Sequence, residues 1–214
     1  MGTRAGTALA LTVLALLAGS ATAQSGRVVD TAIASTRGAL VTLSDVTLAR
    51  ALGLFGLTPS AGPVTRAEVD RYLDARLAVR EAEQVAVAVP AEESARAWEA
   101  AGGAALTARL EAAGINAAWA RAMIEDDLKV RRFVELRFQA FAFVTEPEVD
   151  EALGQGPHDE AARRAARERL RDERAARALA EWTTEARGRT RIRVLDASGG
   201  PWPAPFALAP APDR

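Results

Sequence analysis

One segment near the carboxyl end limits what this chain can fold into. In TRIRVLD, residues 190–196, Ile192 and Val194 share one face and Arg191 and Arg193 the other, the two-residue period of a half-buried strand. A strand on its own leaves a row of backbone donors and acceptors unpaired, so it needs a partner. From about residue 44 to residue 188 the chain reads as helix and loop. The other strand-like segments lie at the opposite end, VVDTAIAS (28–35) and ALVTL (39–43), rich in Val, Thr and Ile. The two ends are therefore expected to meet in one small antiparallel sheet on a mostly α-helical body. Thr36-Arg37-Gly38 reads as the turn of the N-terminal hairpin, although asparagine suits such a turn better than Arg37.

The intervening helices announce themselves by their starts. Ser44 and Asp45 are expected to cap and begin a short helix with Val46, Ala49, Leu52 and Phe55 among its apolar residues, followed by a loop from Gly56 to Pro63. VTRAEVD at Val64 and VTEPEVD at Val144 each set a threonine (Thr65, Thr145) three residues before a glutamate (Glu68, Glu148), the spacing of a capping box. The pairs Val64/Val69 and Val144/Val149 have the spacing of a hydrophobic staple. The first of these helices is expected to run to about Ala82, with Val69, Leu73 and Leu77 inward and Tyr72 beside them. Pro90 opens another, with Glu92 and Glu93 in its first turn and Gly102-Gly103 at its close. Leu106–Ala113 forms a short helix stopped by Gly114.

Asn116 caps a helix expected to reach about Phe143, with Trp119, Met123, Val130, Phe133, Val134 and Phe141 on one broad stripe. Asp126 and Arg137 interrupt that stripe, which argues against one straight, fully buried helix. The last helix, about residues 159–187, extends roughly 43 Å. Glu160/Arg164 and Glu173/Arg177 support it at i,i+4 spacing, and Leu170, Leu179 and Trp182 are its main anchors. Residues 197–214 contain five prolines and are expected to be a disordered tail.

The first residues have the layout of an export signal. Arg4 precedes an apolar run from Ala8 to Ala18, and Ala21-Thr22-Ala23 offers a small-x-small site for cleavage between Ala23 and Gln24. That run is short for a membrane span, so residues 1–23 are read as a signal peptide that leaves a soluble protein with no stable membrane insertion. Without Arg4 the 27 basic residues become 26 against 28 acidic ones, a net charge of −2. The charges are interleaved, and nothing in them points to nucleic acid. The absence of cysteine excludes disulfides, thiolate metal sites and cysteine nucleophiles. One histidine, His158, excludes the His-rich zinc signatures. There is no P-loop, nucleophile elbow or dinucleotide fingerprint. Asp126-Asp127 is expected to face water, neighbours on a helix pointing about 100° apart. No cofactor or metal is expected, and nothing supports an enzyme.

VVDTAIASTRGALVTLSDV (28–46) resembles the opening of the SurA-type periplasmic chaperones and related parvulin-bearing foldases. Gly38 and Thr42-Leu43-Ser44-Asp45 match that opening, while Arg37 departs from its usual asparagine. YLDARLAVREAEQVAVAVPAEESARAWEAAGG and AGINAAWARAMIEDDLKVRRFVELRF resemble the helices that follow in the family. ALAEWTTEARGRTRIRVLD is similar to its last helix and strand, and VTEPEVDEAL to the segment preceding its prolyl isomerase domain. Here only LGQGPHD, residues 153–159, lies where that domain usually sits, so His158 reads as a loop residue at a seam.

The resemblance implies one chaperone domain over residues 24–196, built without the peptidyl-prolyl isomerase. It implies a periplasmic, ATP-independent chaperone that binds unfolded or outer-membrane client polypeptides on apolar surfaces of a helical cradle. The alternative is an isomerase-related foldase or accessory subunit acting with a partner. The candidate client-binding residues are Trp119, Met123, Phe133, Phe138, Phe141 and Phe143, each of which is equally well read as ordinary core.

Overall fold

A computed structural model describes residues 30–36, 39–154, 156–196 and 198–208. The two ends meet. β1 (Ala32–Thr36) is the central strand of a three-stranded antiparallel sheet, with β2 (Ala39–Thr42) on one side and β3 (Ile192–Val194) on the other. Ala34 lies opposite both Val41 and Val194. The register shifts between Ala32 and Ala34, a bulge that lets the consecutive residues Ile33 and Ala34 both be fully buried. Leu195 donates one further bond to the Ile33 carbonyl, at 2.9 Å. The expected signal segment, its cleavage point at Ala23 and Gln24, and Arg37-Gly38 of the turn lie outside the described residues.

Helix starts follow side-chain chemistry. α1 (Leu43–Ala51) is capped by Thr42 rather than Ser44. The Thr42 hydroxyl accepts from the Asp45 N–H at 3.2 Å, and the Asp45 carboxylate accepts from the Thr42 N–H at 2.8 Å. The last residue of β2 thus doubles as a helix cap, while the Ser44 N–H goes to Asp30. α2 (Arg66–Gln84) has the expected box, with the Thr65 N–H to Glu68 at 2.7 Å and the Glu68 N–H to Thr65 at 3.3 Å. Val64 and Val69, flanking it, are fully buried. α3 (Ala91–Ala100) begins after Pro90. Gly102 and Gly103, at φ 120 and 50, open α4 (Gly103–Ala112) instead of only closing α3.

α5 (Ala117–Arg137) is capped by the Asn116 side chain, which accepts from the Ala118 N–H at 2.8 Å. It stops at Arg137, short of the expected Phe143. A 3-10 turn at Gln139–Phe141 then reverses the chain into α6 (Glu146–Leu153). α7 (Glu160–Arg189), capped by Asp159, has 30 residues and is about 45 Å long.

The seam is a tight return. α6 lies against α7 across the loop that holds His158, whose ring nitrogen sits 3.3 Å from the Gly154 carbonyl. Arginines of α7 comb into α6: Arg163 reaches Glu146 at 2.8 Å and Asp150 at 2.6 Å, Arg167 reaches Glu146 at 2.6 Å, and Arg174 reaches Glu148 at 2.5 Å. Val149 is fully buried under them. The arginines of α7 are used mainly between helices; Arg169–Glu173, at 3.9 Å, is an i,i+4 pair within it.

Two apolar clusters make the core. The larger joins the sheet to α1, the first half of α2, α3, α4 and the start of α5. The smaller gathers Leu77, Ala82, Phe133, Phe138, Ala175 and Trp182 from α2, α5, the turn that follows α5, and α7. The expectation of a disordered tail fails over residues 198–208. Trp202 is 4% exposed, and its backbone exchanges two bonds with Val64, at 2.7 and 2.9 Å. Its indole N–H donates to Asp196, and Phe206 and Leu208 pack on the larger cluster. Proline forbids a helix here, but Trp202 between Pro201 and Pro203 keeps the N–H that an extended pairing needs.

Candidate functional site

The six aromatic and methionine candidates separate by burial. Met123, Phe133 and Phe138 are 5%, 1% and 7% exposed, so they are packed in the core and present almost no surface of their own. Phe133, Phe138 and Trp182 touch one another at ring separations of 5.2 to 6.2 Å. The cause is the early end of α5: Phe138 leaves the helix and turns back beneath it. Trp119 is half-buried. With Met123 it lines a cavity of about 260 Å³ that also holds Asp45, Tyr72, Arg76 and Asp126. Phe141 and Phe143 are exposed, at 70% and 74%.

Phe141 does not stand alone. Beside it a groove of about 510 Å³ runs between the link Val85-Ala86-Val87-Ala88 and the end of α5. Phe133, which is buried, and the exposed Leu136 and Phe141 line it together with Arg132 and Arg137. Val85 and Leu136 are more than half exposed, an apolar grouping that a polar surface does not normally leave open.

The local sequence explains the groove. α2 ends in paired carbonyl contacts, Val87 N–H to Ala82 at 2.8 Å and Ala86 N–H to Glu83 at 3.1 Å, the Schellman pattern. That pattern needs a left-handed residue, and here Ala86 occupies it at φ 55 where glycine is usual. The cap turns Val85 outward and packs Val87 on the smaller core cluster. Across the groove, Arg132 donates to the Ala88 carbonyl at 3.1 Å, and it pairs with Glu93 of α3 at 2.5 Å. Arg137 reaches Glu81 only at 4.0 Å and lies over the Phe133 ring, 5.8 Å from its centroid.

Val85 and Leu136 are residues that sequence reasoning missed. Leu136 lies off the α5 stripe. The alternating run QVAVAVP after α2 was the available signal for Val85, an apolar segment without a helical period.

The paired acids prove to be structural. Asp127 is 4% exposed instead of facing water. It accepts from the Phe55 N–H at 2.7 Å and from Arg131 at 2.6 Å, holding Phe55 in a left-handed conformation at φ 56. Asp126 takes Arg76 at 2.5 Å and Lys129 at 3.4 Å. Burial raises the Asp45 carboxyl above the ordinary aspartate range against the opposing Thr42 bonds, and burial chiefly raises the Tyr72 phenol well above its ordinary value. Among the described residues no group of three or more His, Asp or Glu side chains is placed to hold a metal ion. None of the described helices is long and apolar enough to cross a membrane. Compared with protein-family models and with curated proteins, the chain matches none.

Proposed function

We propose that this chain is an ATP-independent chaperone of the cell envelope, which holds unfolded client polypeptides in the groove between residues 85–88 and the end of α5. The observation that carries the reading is the exposure of Val85, Leu136 and Phe141 around one open apolar trough. The resemblance of both chain ends to SurA-type chaperones and the signal-like first residues support it from the sequence side. In this reading the export signal delivers the protein to the periplasm, and no chemical step is performed.

Each apolar side chain that a client buries contributes about 1.5–3 kcal/mol, so a few contacts give micromolar holding and fast release. The test is suppression of aggregation of a chemically unfolded client without ATP. The parent chain should slow aggregation, and Leu136→Ser with Phe141→Ser should largely remove the effect while melting like the parent. Equal protection by parent and double variant would refute the groove as the site. Acceleration of prolyl isomerisation by homogeneous protein would refute the non-enzymatic reading.

A further inference from the structure

Arg137 belongs to two recesses. On one side is the apolar groove; on the other is a cavity of about 340 Å³ lined by Leu77, Arg80, Glu81, Gln84, Arg189 and Trp182 among others. The two share Arg137 in their linings, and beneath them Phe133 packs on Trp182 at a ring separation of 5.2 Å. Their charge differs. The second cavity gathers Arg80, Arg137 and Arg189 against one acid of its own, Glu81. Glu81 stands 4.0 Å from Arg137, and Arg189 pairs with Glu185 at 3.8 Å. Arg80, half-buried on α2, makes no ion pair with a described residue. The indole N–H of Trp182, a residue 94% buried by its 6% exposure, has no acceptor among the described residues. An apolar trough edged by Arg137, which also lines a recess holding the unpaired Arg80, complements a ligand with apolar side chains followed by a carboxylate.

We infer that the groove prefers client segments that end in apolar side chains and a free carboxyl terminus, with Arg137 and Arg80 receiving the terminal carboxylate. This rests on the holding function proposed above and names the chemistry of its clients. A guanidinium forks to both carboxylate oxygens, whereas a terminal amide offers it one neutral acceptor and no charge.

The experiment is fluorescence anisotropy with the full chain and one labelled peptide ending in Leu-Phe, prepared as the free acid and as the amide. The free acid should bind about two- to fivefold more tightly, the scale of a partly exposed charge-assisted contact. That preference should vanish in Arg137→Gln and shrink in Arg80→Gln, while the amide binds all three proteins alike. Arg80→Gln breaks no ion pair, so its result stays readable even if Arg137→Gln is less stable. Equal binding of acid and amide to the parent would overturn the inference and leave the holding function standing. Failure of both peptides, while the protein still suppresses aggregation, would overturn both the inference and the placement of the groove. Binding of phosphatidylglycerol vesicles with no preference between the peptides would assign the arginines to lipid and overturn the inference.

Discussion

Replacing Trp202 with alanine should unfold much of what the tail secures. Trp202 is 4% exposed, lies within the larger core cluster and gives its indole N–H to Asp196. Removing a buried aromatic ring to the β-carbon costs about 3–5 kcal/mol, the loss of transfer energy plus the cavity left behind. The backbone bonds to Val64 are not deleted by the substitution, but they lose the ring that holds the strand in place. For a domain of this size each kcal/mol shifts the melting temperature by about 2–4 °C, so a fall of about 10 °C is expected. Thermal unfolding followed by far-ultraviolet circular dichroism measures it, with Phe143→Ala, 74% exposed, as the neutral control. If Trp202→Ala melts within about 2 °C of that control, residues 198–208 are not part of the folded core and the docking of the tail is wrong.

Asp127→Ala should cost about 2–3 kcal/mol in denaturant unfolding, because it strands the buried Phe55 N–H, while Asp127→Asn keeps an acceptor and should lose less. Equal losses would show that the hydrogen bond is not what Asp127 supplies. Ala86→Gly should stabilise by about 0.5–1 kcal/mol, since the left-handed position at φ 55 costs alanine and not glycine; a loss would refute the cap assignment. Acid should loosen the α6–α7 seam. The Thr145 N–H, Arg174 and the Thr145 hydroxyl hold the Glu148 carboxyl down to about 2, below its ordinary 4.5, so its contribution is present above pH 4.5 and lost as pH falls toward 2. Melting curves between those values should be flatter for Glu148→Gln than for the parent, and parallel curves would remove Glu148 from the seam. Phe138→Ser should lower stability sharply and Phe141→Ser hardly at all, because the first is 7% and the second 70% exposed; comparable losses would contradict their separation into core and surface.

The sheet and the helix starts were legible because local chemistry decides them. The period of Ile192 and Val194 demanded a partner, and the Thr65/Glu68 box fixed α2 within a residue of its start. Errors arose where tertiary contacts override local rules. Thr42 displaced Ser44 as a cap because the last strand residue already had its side chain beside the Asp45 N–H. Five prolines argued for disorder in the tail, but one tryptophan between two of them found a buried berth against Val64. Asp127 looked solvated on α5, yet its partner is the N–H of Phe55, 72 residues away, which no local pattern reveals. The groove was half legible: Phe141 stood in the candidate set, whereas Val85 and Leu136 became exposed neighbours only once α2 stopped at Gln84 and α5 at Arg137.

Hydrogen–deuterium exchange of the full chain, with and without an unfolded client, tests the central claim most directly. Client binding in the groove should slow exchange in residues 84–89 and 132–143 and leave α3 and α4 unchanged. Protection confined to other surfaces, or no protection at client concentrations that suppress aggregation, would contradict it.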